Sequence, residues 1–231
     1  MLGVIHYNPH LAHQRDHARA FEQCGFTATT SKTTEADVHV VSGPYYALRQ
    51  WARHPSLLMI DRAWWGDPDC VSIGWLNKDG TRTFATGDEP RAHPKPLPWK
   101  KRENTAIVLA DYGQKTTQIM REAAQRYAYI RERRHPAEVR DQASLTSGLC
   151  LSDVAIGTSG TALFEAVMLG LPSVCLDPDN PVAEVCSASI DAPLRRPDRS
   201  EWLHKLSYAQ FSLDEIADGT AWRLLRDVRQ L

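Results

Sequence analysis

Residues 153–175 read DVAIGTSGTALFEAVMLGLPSVC, and how that stretch is parsed decides the fold. Val154, Ala155 and Ile156 form a short apolar run of the kind a buried parallel strand needs. Gly157-Thr158-Ser159-Gly160-Thr161 is small, hydroxyl-bearing and flexible enough for a tight turn into a helix. Leu163, Ala166, Val167 and Gly170 then fall at helical spacing. Gly170 and Pro172 end that helix ahead of a second apolar run, 173–176. Strand, turn, helix and strand make one parallel α/β unit, and such units place ligand sites at the strand ends.

The first backbone N–H groups of a helix have no partner within it and carry a partial positive charge. With the hydroxyls of Ser159 and Thr161 they make an anion site, and glycines at 157 and 160 let a phosphate come close to the backbone. Glu165 lies one turn further in, where a carboxylate can accept hydrogen bonds from two vicinal sugar hydroxyls. The plainer reading is that Ser159 only caps the helix and Glu165 is a solvated acid. Spacing leaves both readings open.

The pattern resembles the C-terminal half of GT-B glycosyltransferases and the related nucleotide-sugar 2-epimerases. There an apolar strand ending in Asp-x-x-x-Gly is followed by a Ser-Gly turn, a Glu-Ala helix and Gly-x-Pro. The matching residues are Asp153, Gly157, Ser159, Gly160, Thr161, Glu165, Ala166, Gly170 and Pro172, and the resemblance spans about 135–185. It implies two small Rossmann-like α/β domains facing a central cleft. It also implies a nucleoside-diphosphate sugar, UDP-sugar foremost, as co-substrate, with the diphosphate on the Ser159–Thr161 turn and Glu165 near the ribose. Metal-independent hexosyl transfer, with no other cofactor, follows from the same resemblance.

Composition fits a soluble globular chain, with 42% hydrophobic and 24% charged residues. Five cysteines include no C-x-x-C pair, which argues against a disulfide framework and for a reducing interior. No signal peptide or apolar run near 18 residues is present, so a cytoplasmic protein without stable membrane association is expected. Net charge is −1, yet residues 91–140 hold 12 Lys and Arg against 5 Asp and Glu. Such a segment can steer a polyanion, or it can be an ordinary solvated surface.

Before that segment, Leu2–His6, Phe26–Thr30, Val38–Val41 and Leu57–Ile60 read as strands. Helical stretches separate them at His10–Cys24 and in a short piece through Trp51. This is a first α/β unit with a mostly parallel sheet. His13 and His17 form an i, i+4 pair without acidic or cysteine partners, so no metal site is assigned. Val71–Trp75 and Thr81–Phe84 form a hairpin across Asn77–Gly80. The proline-rich segment 88–102 is the expected linker, giving domains 1–98 and 99–231. The second domain opens with a strand at Thr105–Leu109, a helix to Arg126 and a strand at 127–131. Terminal helices are expected at 202–211 and 213–228.

Asp61-Arg62-Ala63-Trp64-Trp65-Gly66-Asp67-Pro68 pairs tryptophans with acids, a composition suited to a ligand wall. With the hairpin after it, this block resembles small glycosyltransferase-like proteins of bacteriophages. An inverting transfer needs a base, for which Asp61, then Asp67, then His6 are candidates. Arg134 and His135, in an Arg-His-Pro strand end like that of polysaccharide glycosyltransferases, are candidate phosphate partners. The expected acceptor is a hydroxymethylated pyrimidine in DNA, met by Trp64, Trp65, Arg62, Lys100 and Lys101. The alternatives are a glycan acceptor, an epimerase-like enzyme with the same donor site, or a non-catalytic nucleic-acid-binding module.

Overall fold

The computed structural model describes residues 2–31, 34–42, 54, 56–65, 67, 69–78, 81–136, 138–139, 144–158 and 160–229. The expected helix through Trp51, the Asp79-Gly80 turn and Ser159 lie outside them. The chain divides into two compact units, Met1–Ala92 with Leu203–Leu231, and His93–Trp202. Each has its own sheet.

The first unit is built on seven strands. β1 (Gly3–His6), β2 (Thr27–Thr29), β3 (Val38–Ser42) and β4 (Leu57–Arg62) lie parallel in the order β4-β3-β1-β2. β5 (Cys70–Leu76) is antiparallel to β4, and β6 (Arg82–Thr83) closes the expected hairpin against Trp75 and Leu76. Helix α1 (Ala12–Gln23) ends at Gly25, whose φ of 97° lets Gly25 N and Phe26 N reach back to Glu22 O and Phe21 O. That is a Schellman closure, which a glycine forms without steric cost. Ile5, Val40, Leu58, Ile73 and Trp75 form the core with Phe21 of α1.

The second unit carries a four-stranded, wholly parallel sheet. β7 (Thr105–Leu109) pairs with β8 (Tyr129–Arg133) on one side and β9 (Val154–Gly157) on the other, and β10 (Ser173–Cys175) follows β9. Helices α2 (Thr117–Arg126), α3 (Leu145–Cys150) and α4 (Thr161–Met168) connect them. Val108, Ile156 and Val174 pack with Ala123 and Tyr127. Helix α4 ends as the sequence predicts. Gly170 has φ 78°, Gly170 N donates to Val167 O and Leu171 N donates to Ala166 O. A Cβ at 170 would lie 2.1 Å from Pro98 O, so only glycine fits.

Four expectations need correction. Residues 202–211 are not one helix: α5 (Ser200–Ser207) gives way to β11 (Gln210–Ser212), antiparallel to β5. Phe211, 0% exposed, is worth roughly 1.5–3 kcal/mol buried there, enough to override a local helical pattern. Residues 213–228 are two helices, α6 (Leu213–Ala217) and α7 (Thr220–Arg229), broken at Gly219 with φ 80°. Leu203–Leu231 therefore belongs with the first unit, not with a second domain running from 99 to 231.

The fourth correction concerns the proline-rich stretch, which is strapped down along its length. Tyr208 Oη donates to Glu89 O at 2.7 Å, and Arg91 donates to Ser207 O and Gln210 O at 3.0 Å each. In the second unit, Leu97 N donates to Met168 O at 2.8 Å and Trp99 Nε1 to Pro197 O at 2.9 Å. The Arg199 guanidinium lies 3.9 Å from the Trp99 ring centroid.

Candidate functional site

The C-terminal ends of the four parallel strands in the second unit bring together the described donor-side residues singled out from the sequence. Leu109 of β7 is in register with Arg133 of β8 and Gly157 of β9, and Gly157 with Cys175 of β10. One edge thus carries, in order, Arg134 and His135, Asp111 and Tyr112, Thr158, Gly160 and Thr161, and Asp177. Asp153 sits at the opposite edge. Its carboxylate accepts from Asn104 N and Thr105 N at 3.1 and 3.0 Å, which ties the start of β9 to the start of β7.

Helix α4 begins at this edge with Gly160 as its N-cap, φ −70° and ψ 151°, a residue with no side chain of its own to cap it. Its N-terminal amides therefore keep the partial charge that favours an anion. The described residues on either side of Ser159 are held closely. Thr158 Oγ1 donates to Asp111 Oδ2, and Cys175 Sγ lies 3.2 Å from Thr158 O. A Cβ on Gly160 would meet Asp111 Oδ1 at 2.8 Å, and one on Gly157 would press on Leu163 at 3.2 Å. Burial raises the Cys175 pKa, which keeps the thiol protonated and able to donate.

Glu165 is 8% exposed, which excludes the solvated acid of the plainer reading. Arg134 and His135 are exposed just past β8. Asp111 and Tyr112 were not among the residues expected at the site. An acid directly after the apolar run 106–110 was the available signal, weak because many strands end so. A pocket of about 680 Å3 opens beyond β10, lined by Cys175, Asn180, Glu184, Cys186 and Arg195 among others.

The candidates in the first unit are placed differently. His6 is 8% exposed, with Nδ1 3.0 Å from Ser31 O and Nε2 2.8 Å from His39 Nδ1. Burial lowers its pKa, so this is a neutral ring inside a histidine network rather than a base facing solvent. Asp61 lies within β4, paired in register with Ser72, instead of after the strand. Its Oδ1 accepts from Arg62 N at 2.8 Å, and its Oδ2 is 3.9 Å from the mostly buried Arg82. Asp67 is half-buried in a local turn, accepting from Asp69 N at 2.9 Å.

The expected aromatic wall is dissolved by packing. Trp64 is 3% exposed, edge-on to Phe84 at 4.9 Å with the Arg82 guanidinium 5.6 Å from its ring centroid. Trp65 is half-buried and Arg62 exposed. Lys100 is used internally, its Nζ donating to Leu149 O, Cys150 O and Ser152 O at 3.3, 3.1 and 2.5 Å, where it closes the C-terminus of α3. Arg126 likewise donates to Ile190 O and Ala192 O. Lys101 is exposed. Part of the basic excess of 91–140 thus holds the fold together.

Among the described residues no group of three or more His, Cys, Asp or Glu could hold a metal ion, and no helix is long and apolar enough to cross a membrane. No family model matches the chain, and no curated protein does. Two solved structures share its fold. Thermosulfurimonas dismutans KpsC, beta Kdo 2,7 transferase, superposes with a TM-score of 0.55 at 13% identity, over 99% of this chain and 100% of that one. The beta Kdo 2,4 transferase of KpsC from the same organism gives 0.51 at 12% identity, over 90% of each. Both names describe the linkage of a sugar and neither mentions nucleic acid. The DNA acceptor expected from the basic segment and the paired tryptophans is withdrawn on that ground, and on the internal use of Trp64 and Lys100. The chain has a GT-B-like fold, α/β throughout, in two units each built on its own sheet.

Proposed function

We propose that the chain is a glycosyltransferase that moves a sugar from a nucleoside-diphosphate donor, UDP-sugar foremost, to a hydroxyl group of a glycan. The observation that carries this reading is the start of α4 on a glycine N-cap at the C-terminal edge of a wholly parallel sheet, in a fold shared with two sugar transferases. The donor diphosphate lies on the Thr158–Thr161 turn, Ser159 included. Glu165 takes the ribose, Arg134 and His135 reach the phosphates, and the pocket beyond β10 receives the sugar.

Transfer breaks the bond between the anomeric carbon and the phosphate oxygen, and both bonding electrons leave with the diphosphate. Amides at a helix start, with an arginine and a histidine nearby, stabilise that charge without a metal ion. The acceptor oxygen forms the new bond and loses its proton. In an inverting reaction Asp61 takes that proton, with Asp67 second in line.

The test combines labelled nucleotide sugars with oligosaccharide acceptors. Label on the glycan supports the reading. Free nucleotide with a rearranged sugar and no acceptor product would mean an epimerase instead. Glu165→Ala should weaken donor binding by roughly 1–3 kcal/mol, the size of a lost charge-assisted hydrogen bond; unchanged affinity removes it from the ribose. Asp61→Asn should abolish transfer and leave donor binding intact, and an active variant discards it as the base.

A further inference from the structure

Tyr112 is the third residue past the end of β7, and it is 72% exposed. Its position is nevertheless fixed. Asp111 N donates to Gln114 Oε1 at 2.9 Å and Gln114 N donates to Asp111 O at 3.0 Å. Gly113, at φ 72°, turns the chain so that its N–H donates to Glu138 Oε1 at 2.7 Å. Glu138 N in turn donates to His135 O at 2.9 Å. The His135 ring meets the Tyr112 ring edge-on, with centroids 5.7 Å apart and planes at 81°. The loop after β7 and the loop after β8 are thereby bound to each other, and the tyrosine is held out rather than left to swing.

An exposed aromatic ring on a fixed backbone loses little conformational freedom when a flat ligand covers it. The neighbouring residue sets what the ligand is. Asp111 touches both Thr158 and Gly160, so Tyr112 stands one residue away from the turn at the start of α4. Of the groups on a nucleotide sugar, the base offers a planar π face. The pocket beyond β10, with Asn180, Glu184 and Arg195 among the apolar residues of its wall, offers hydrogen-bonding groups to a hydroxylated sugar and lies past β9, on the far side of that turn from Tyr112.

We infer that Tyr112 is the stacking platform for the nucleobase of the donor, held in place by His135 and the Glu138 clasp on Gly113. This rests on the donor reading above and adds the residue that tells a nucleotide from a bare sugar phosphate. Stacking is tolerant of base identity, because every base has a π face. Tyr112 therefore favours nucleotides as a class.

The experiment is calorimetric titration of the full chain and of Tyr112→Ala and Tyr112→Phe with UMP, CMP, AMP, GMP and ribose 5-phosphate, with melting temperature as a check on folding. The wild type should bind at least one nucleotide roughly tenfold more tightly than ribose 5-phosphate. Tyr112→Ala should remove that advantage, leave ribose 5-phosphate binding unchanged and melt as the wild type does. Tyr112→Phe should keep the advantage, since the ring and not the hydroxyl makes the contact. Tyr112→Ala binding nucleotides as well as the wild type does would overturn the stacking role alone. So would an equal loss for ribose 5-phosphate. A wild type that binds no nucleotide would overturn the donor reading itself, and the stacking role with it.

Discussion

The two sheets present their parallel strand ends in opposite ways. In the first unit the polar residues there turn inward and satisfy one another. His6 bridges Ser31 and His39, His39 packs edge-on to His54 at 4.1 Å, and His17 Nδ1 is 3.0 Å from Ser42 Oγ. Gln14 Nε2 donates to Ser42 O while Gln14 Oε1 accepts from Asn8 N. In the second unit the corresponding edge keeps a helix start on a glycine N-cap, an exposed tyrosine, and Arg134 and His135 at the surface. Polar residues at strand ends are thus no guide to function until their partners are known. The same residue types are structural where they pair internally, and available for a ligand where the backbone around them is fixed but their faces remain open.

Acid should break this comparison most strongly. Burial first, then neighbouring histidines, depress His39 to about 4, and burial with His13 depresses His17 to about 4 as Asp16 opposes it. His6 and His54 face His39, and the Ala36 carbonyl acts on it in the opposite direction. Folded values below the unfolded one of about 6.5 mean that this stability is full above pH 6.5 and is lost as pH falls toward about 4. The expected loss is on the order of a few kcal/mol, seen as a falling melting temperature between pH 7 and 5. His39→Gln and His17→Asn should flatten that dependence, and an unchanged slope would mean that the rings titrate normally.

Next in size is Lys100→Met. It leaves three carbonyls without their cation and should cost about 1–3 kcal/mol in denaturant unfolding while leaving nucleotide affinity unchanged. The smallest effects are expected from Arg134→Ala and His135→Ala, each lowering nucleotide affinity by roughly 0.5–1.5 kcal/mol with little change in stability. If these two instead destabilised the fold and Lys100→Met weakened binding, the division between the internal lysine and the two surface residues would be reversed.

Much of the second unit was readable because its signals are local. A three-residue apolar run, a glycine turn and Gly-x-Pro each act over a few residues, and all fall where the structure has β9, the turn and the end of α4. Helix α1 and its Gly25 closure were legible for the same reason. The strand at 127–131 was placed two residues early, since Tyr127 is apolar enough to suit a strand but packs with Ala123 in the core ahead of β8. Trp64 could not be placed from sequence. Whether an indole lines a ligand wall or a core depends on Phe84 and Arg82, some twenty residues away.

The sequence by itself determined the α/β class, the strand–turn–helix unit at 153–175 and the glycines that allow it, because those depend on backbone conformations that neighbouring residues impose. Only the tertiary structure decided that 203–231 completes the first sheet, that His6 and Trp64 are enclosed, and that Asp111 and Tyr112 join the turn at Thr158. Those outcomes depend on which side chains long-range strand pairing brings within a few ångströms of one another. A linear pattern does not encode that until the chain has collapsed around its core.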